Sequence, residues 1–315
     1  MIFDIYKLSF KSPLHLSKGK LNSYESSDVT LHSDTIKSAL FVSMLQLYNV
    51  AEANNFMETV NVSSAFPFNE LGCWLPKPLS FSFGALETSD NRKKLKQIKF
   101  FTSAQYTQVL NGETPILDKD FLQPKVWKSD ITQRVKINYY KDSEPFYLEK
   151  LYPENENSGL YFIFLLNGFE AAKLNAAMNL LGDNGFGLQR TLGNGQFEPT
   201  KSNLEIELPE NSTAWVSLSL YRPKNKEEIG NVLEKSSYQY IKRGGWISSP
   251  EHEEHLSIRK QAVMMFTEGS VFGFEERRNS ILIKGMKENL RPLWNEEKLH
   301  NVYRDGNAIF LPILN

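Results

Sequence analysis

Residues 160–166 read Leu-Tyr-Phe-Ile-Phe-Leu-Leu, seven apolar residues without a break. The run is too short to span a bilayer, and its aromatic and β-branched content suits a strand buried on both faces. A helix is predicted next, over 169–181, with Leu174, Ala177, Met178 and Leu181 on one face and Gly182 as its stop. A glycine-rich loop then fills 182–195, and a further strand carries Glu198, Leu204, Glu205 and Ile206.

The same rhythm stands earlier in the chain. Ile2, Phe3, Ile5, Tyr6, Leu8 and Phe10 predict a strand that Pro13 ends, and a polar stretch follows at 15–30. Ser33 or Asp34 can cap a helix whose Ile36, Leu40, Met44 and Leu47 fall at helical spacing, running to about Asn54. Prolines at 67, 76 and 78 predict an ordered loop over 61–84, packed by its aromatic residues. The basic run Arg92, Lys93, Lys94, Lys96, Lys99 reads as the solvated face of a helix, although it could also touch phosphate. Alternation of Ile131, Val135, Ile137 and Tyr139 with polar residues, a turn near 141–143, and then Phe146, Tyr147 and Leu148 predict a β-hairpin over 131–150. The polar gap at 153–158 reads as a domain boundary. Beyond the glycine loop, strands are expected at 214–221, 238–247 and 262–272, with a helix at 224–236. The expected fold class is α+β: two tandem ferredoxin-like (RRM-like) domains, residues 1–155 with an inserted hairpin and residues 156–315 with the glycine-rich loop.

Aromatic residues make up 12% of the 315, including 21 Phe and 13 Tyr, which is the composition of a folded chain rather than a disordered one. A single cysteine, Cys73, rules out a disulfide framework and a cysteine-based zinc site. The opening MIFDIYKLSF has no basic segment followed by an apolar one, so no signal peptide is expected and the reading is of a soluble cytoplasmic protein. Net charge is −1, so any nucleic-acid contact must use a local groove or an assembly in which other subunits add positive charge.

The most informative stretch for function is 182–195, with five glycines in fourteen residues. Gly185, Gly187, Gly193 and Gly195 permit close backbone approach to a ligand, and Gln189 and Arg190 sit mid-loop, where an arginine can pair with phosphate in bidentate fashion. The plain alternative is a mobile loop without a ligand. It is neither a dinucleotide fingerprint nor a P-loop, because it follows a helix and no Gly-Lys-Ser/Thr closes it. Arg134 and Lys136 project from one hairpin face, which suits a phosphate track or a solvated face equally. Lys11, His15, Lys18 and Lys20 follow the first strand and can line a groove. Ser33 and Thr35 can offer donors to phosphate, whereas Asp34 reads first as a helix cap. Arg243-Gly244-Gly245-Trp246 pairs a cation with a stacking surface, unless the indole is core.

Catalytic motifs are weak. His252 and His255 are spaced i, i+3 rather than the i, i+4 of a zinc protease. Asp118 and Asp120 lack a third carboxylate, and no Gly-x-Ser-x-Gly elbow is present. His15, with Lys18 and Tyr24 nearby, could act as acid–base in a metal-independent endoribonuclease. A scaffold that touches protein alone is the third reading. No metal or cofactor is expected.

Five stretches in order resemble one family: Leu31-His32-Ser33-Asp34-Thr35, the loop at 182–195, Ile241-Lys242-Arg243-Gly244-Gly245-Trp246, Phe266-Thr267-Glu268-Gly269-Ser270-Val271-Phe272, and His300-Asn301-Val302-Tyr303-Arg304-Asp305-Gly306. Together they are similar to the RAMP superfamily of CRISPR proteins, and within it to the Cas5-type fourth Csm subunit of type III-A complexes. Asn301 replaces a proline of that family, and its glycine loops are often more basic. The resemblance implies a non-catalytic subunit that holds the 5′ handle of the crRNA and contacts the large polymerase-like subunit and the backbone subunit. It also implies that the hairpin is a thumb that kinks the RNA, and that the basic, glycine and Arg-Gly-Gly-Trp positions named above bind it. A metal-independent RAMP endoribonuclease is the alternative the superfamily offers.

Overall fold

In a computed structural model, the structure describes residues 1–18, 24–84, 87–117, 123–137, 142–212, 214–225, 229–230, 233, 236–248, 258–273, 281–291 and 300–314. The chain begins with β1 (Ile2–Phe10), the short strands β2 (Leu16–Ser17) and β3 (Ser27–Asp28), and helices α1 (Ser33–Leu47) and α2 (Val50–Thr59). Strands β4 (Asn61–Val62), β5 (Phe66–Asn69) and β6 (Gly72–Pro76), helix α3 (Arg92–Gln97), strand β7 (Phe100–Thr102) and helix α4 (Ser103–Leu110) follow. A long hairpin, β8 (Trp127–Lys136) and β9 (Glu144–Pro153), leads to β10 (Gly159–Leu165), α5 (Ala171–Asn184) and β11 (Phe197–Glu205). The last third holds β12 (Ala214–Ser217), β13 (Tyr240–Arg243), β14 (Val263–Phe266), β15 (Val271–Phe272), β16 (Leu282–Ile283), β17 (Lys287–Asn289), β18 (Tyr303–Asp305) and β19 (Ala308–Ile313). Among the described residues no helix is long and apolar enough to cross a membrane.

The architecture is mixed α/β with antiparallel sheets and few helices. The main sheet runs β11-β1-β10-β5-β6-β7, with β4 paired to β10. β10 lies at its centre and is buried on both faces, as its unbroken apolar run requires. Leu160, Phe162 and Phe164 pack with α1, α2 and α5 on one side. Tyr161 and Ile163 pack on the other side with Phe101, Tyr106, Val216 and Leu311. That second layer includes part of a four-stranded sheet of order β15-β12-β19-β16.

Several expectations change. The boundary near 155 falls inside the fold: β1 pairs with both β10 and β11, so residues on either side of 155 share one sheet. Residues 153–158 make only a tight turn, closed by the Ser158 amide on the Asn155 carbonyl. The first helix stops at Leu47, because Asn49 caps a second helix by accepting the Glu52 amide. The loop expected at 61–84 contains β4, β5 and β6. Phe66 and Phe68 face the core at strand spacing, and this burial outweighs the proline between them. α5 continues through Gly182 and ends at Gly185, whose φ of +73° allows the chain to leave the helix. Arg92, Lys93, Lys94 and Lys96 of the basic run lie on α3, whose buried residue is Leu95 while its lysines face solvent, and Lys99 follows the helix. The two strands of the hairpin stand as expected and extend beyond the expected span at its base, while Tyr139 and Lys141 at its tip lie outside the described residues. The helix expected at 224–236 lies largely outside the described residues.

Candidate nucleic-acid interface

The glycine loop is rigid because it is sewn to the segment after β1. The Leu188 amide donates to the His15 carbonyl (3.0 Å), the Gly195 amide to the Pro13 carbonyl (2.8 Å) and the Phe186 amide to the Gly195 carbonyl (3.0 Å). A Cβ on Gly187 would run into the His15 carbonyl oxygen, and one on Gly195 into that of Phe186; both residues also have positive φ. Close packing therefore demands glycine here. Asn194 is buried and its side-chain amide donates to Gln189 Oε1 (3.1 Å), holding Gln189 in the left-handed conformation, φ +59°. Gln189 and Gly193 thus shape the turn, and its apex presents Arg190. That side chain is exposed and has no ion-pair partner among the described residues.

His15 links this loop to the hairpin. Its side chain is 1% exposed. Nδ1 lies 2.7 Å from the Glu149 carbonyl in β9, an acceptor, so Nδ1 carries the proton and donates. Nε2 is buried without a partner. The His15 ring lies 6.4 Å from that of Tyr24, which lies 5.5 Å from Phe146. Leu14 and Leu151 exchange backbone hydrogen bonds of 2.8 Å, fixing the base of the hairpin. The Glu149 carboxylate accepts from Ser129 Oγ and the Ser27 amide. Partial burial would raise its pKa, but these bonds with nearby Lys18 and His15 hold it below the ordinary glutamate value. Arg134 stands opposite Phe146 and Lys136 opposite Glu144, so both cations share the hairpin face that meets Tyr24. His15 thereby joins the loop at Gly185–Gly195 to the base of the hairpin that carries Arg134 and Lys136, with Lys18 near Glu149. Tyr24 and Phe146 complete this hairpin face. Sequence reasoning noted Tyr24 only as a catalytic neighbour, and an aromatic residue in a polar stretch was its one signal. Lys20 lies outside the described residues, as do Asp118, Asp120, His252 and His255.

The remaining motifs meet elsewhere, as an internal clasp at the start of α1. Asp34 is fully buried in the first turn and receives two guanidiniums. Arg243 donates from Nε and Nη2 (both 3.1 Å), and Arg304 donates from Nη1. Burial would raise the Asp34 pKa, but Arg243 and Arg304 hold it far below the ordinary carboxylate range. Arg243 Nη2 also donates to Thr35 Oγ1 (2.9 Å), and Arg304 Nη2 to the Gly244 carbonyl (2.6 Å). Ser33 Oγ accepts the Leu220 amide (3.0 Å), its own amide donating to Ser64 Oγ (2.8 Å). His32 Nδ1 is 2.8 Å from Glu268 Oε1, which also accepts from Ser64 Oγ, and Lys37 pairs with Asp305. Ser33, Thr35 and Arg243 are therefore held by the protein itself, and Asp34 is an ion-pair centre rather than a cap. The N-cap is His32, without a side-chain bond. Beyond the clasp, Gly245 adopts φ +127° in open space, and Trp246 is half exposed rather than core. Arg259 stacks on the indole at 5.0 Å.

A family model described as the CRISPR Csm4 C-terminal domain matches residues 210–313. The CRISPR system Cms protein Csm4 of Thermococcus onnurineus is 28% identical over 199 residues, 60% of this chain and 67% of the relative. The Csm4 of Methanocaldococcus jannaschii is 24% identical, covering 98% and 96%. Among solved structures, a chain of a Csm1–Csm4 cassette in complex with cA4 has a TM-score of 0.65 at 21% identity, covering 100% of this chain and 99% of that one. A chain of a Csm3–Csm4 subcomplex from a type III-A interference complex gives 0.64 at 20% identity, covering 100% of both. Motifs, family model and fold point the same way: the chain is similar to Csm4 proteins, in its C-terminal third by the family model and over its whole length by fold.

Proposed function

We propose that this chain is the non-catalytic subunit of a type III-A Csm complex that holds the 5′ handle of the crRNA and bridges the large and backbone subunits. The observation that carries the reading is the frame in which His15 ties the glycine loop to the hairpin. Arg190 at a turn fixed by glycine contacts, and Arg134 and Lys136 on the hairpin, are exposed without ion pairs among the described residues, and Lys18 is exposed near Glu149. Unpaired cations on a preorganised frame suit phosphate better than a mobile loop would. On a chain of net charge −1 they give a local basic surface rather than a generally basic protein. The hairpin is read as the thumb that kinks the RNA. The bridging role rests on the Csm1–Csm4 and Csm3–Csm4 assemblies in which similar chains were solved.

The strand order β11-β1-β10-β5, with α1 and α5 packed on one face, further supports a ferredoxin-like unit over residues 1–206. A second such unit is proposed over about 210–313, where the family model matches. The endoribonuclease alternative would need His15 free to move a proton. Its burial and its Nδ1 bond to a backbone carbonyl favour holding over cutting.

The test is crosslinking of handle RNA in the co-expressed complex, comparing wild type with Arg190→Ala plus Arg134→Ala, with RNA length read in the same samples. Handle crosslinks abolished in the variant, with RNA intact, support the cap. RNA shortened by wild type but not by His15→Ala would replace it with the nuclease, and no handle crosslink at all would leave the protein scaffold.

A further inference from the structure

The ribbon formed by β13 and β14 carries a face that the clasp does not use. Within β13, Ile241 and Arg243 turn inward, while Tyr240 (65% exposed) and Lys242 turn to solvent. Met264, opposite Lys242, is 49% exposed, and Tyr238 just before the ribbon is 40% exposed. The ribbon is prolonged by a bridge between Trp246 and Arg259, where the guanidinium lies on the indole. Residues two apart on a strand face are about 7 Å apart, so the ribbon presents aromatic and cationic groups in a row rather than as one cluster.

Charge separates this strip from an ordinary apolar patch. The segments 236–248 and 258–268 hold Lys242, Arg243, Arg259 and Lys260. Their one carboxylate, Glu268, is buried and bonded to His32 and Ser64. Burial, with Arg304 close by, pushes Lys260 down to about 8, in keeping with excess positive charge. Aromatic faces beside cations, with no exposed carboxylate within 236–248 and 258–268, complement a polyanion whose bases are free to stack. Duplex bases are already stacked on one another, which leaves a single strand.

We propose that the outer face of this ribbon, through Tyr240, Lys242, Met264 and Trp246, is a stacking platform for unpaired RNA, separate from the glycine-loop surface. Arg259 covers one side of the indole and holds it upright for a base on the other. Binding here is tolerant of sequence, because every base offers a π-face, and it depends less on salt than binding at the glycine loop. The proposal rests on the reading of the chain as an RNA-holding subunit.

The test uses the assembled complex and two probes, a handle RNA and a twelve-nucleotide oligouridylate. Tyr240→Ala plus Trp246→Ala is expected to weaken oligouridylate binding about tenfold or more, with the salt slope unchanged. Tyr240→Phe plus Trp246→Phe, which keeps the rings, is expected to restore it. Arg190→Ala plus Arg134→Ala is expected to weaken the handle and lower its salt slope while leaving oligouridylate binding in place. If the alanine pair leaves oligouridylate binding unchanged, the platform is overturned. If that pair instead releases a partner subunit, the face is a protein interface. A handle that fails to bind in wild type while oligouridylate binds would overturn the handle reading alone.

Discussion

Around Asp34, two guanidiniums converge on one carboxylate shut away from solvent; around Arg190, one guanidinium stands in solvent with no ion-pair partner among the described residues. Both regions lie in stretches of the sequence that carry the family resemblance. They differ in how their polar groups are satisfied. Clasp side chains bond to other parts of this chain, across as many as 270 residues in sequence. In the loop region the backbone is satisfied internally and the cations are left over. A motif of charged residues thus names a site only once its internal partners have been counted.

The sharpest way to break the comparison is Asp34→Ala. It leaves Arg243 and Arg304 without their carboxylate in a buried setting, an expected loss of about 3–5 kcal/mol, read by denaturant unfolding of the complex-free chain. A loss within the range of a surface substitution would mean that the clasp is not a joint. Gly195→Ala comes next. Positive φ and the Phe186 carbonyl oppose a side chain, at an expected cost of about 1–3 kcal/mol, and limited proteolysis between 185 and 195 should quicken. Arg190→Ala plus Arg134→Ala is expected to change stability by no more than about 0.5 kcal/mol. Its effect should appear in RNA affinity instead, with the salt slope falling by about one for each phosphate that is no longer neutralised.

The smallest expected effect is on pH dependence. Burial would lower the His32 pKa, but the Glu268 carboxylate and its hydrogen bond hold it above 6.5. Burial would raise Glu268, and His32 with Ser64 holds it below 4.5. The histidine's contribution is complete below pH 6.5 and fades as pH rises through its elevated folded value. The glutamate's is complete above 4.5 and fades as pH falls through its depressed one. Stability attributable to the pair should therefore be greatest between pH 4.5 and 6.5. Unfolding free energy measured across pH should lose this feature in His32→Ala.

Much of the scaffold was legible because it rests on local pattern. β1, β10, α5 and the β8–β9 hairpin follow from apolar spacing alone. β5 was not, since Pro67 argues against a strand until its long-range pairing with β10 is known. The residue 155 boundary failed for the same reason: a polar turn looks alike whether it joins two domains or two strands of one sheet. Of the candidate site, the glycine loop, His15, Arg134 and Lys136 are proposed from residue type alone. The fate of Ser33, Thr35 and Arg243 was hidden, because Arg304 and Leu220, which hold them, lie far away in sequence.

The position of β1 sets a timetable for synthesis. Ile2–Phe10 are made early, yet their sheet neighbours are β10 and β11, the second of which ends at Glu205. At about 5–20 residues per second, β1 waits roughly 10–40 s on the ribosome before its second neighbour exists. Until β10 is made, Phe3, Ile5, Leu8 and Phe10 have no native strand beside them, and Phe3 and Phe10 wait further for β11. The nascent chain should therefore be a client for chaperones through most of its own translation, and moving β1 behind β11 by circular permutation should shorten that dependence.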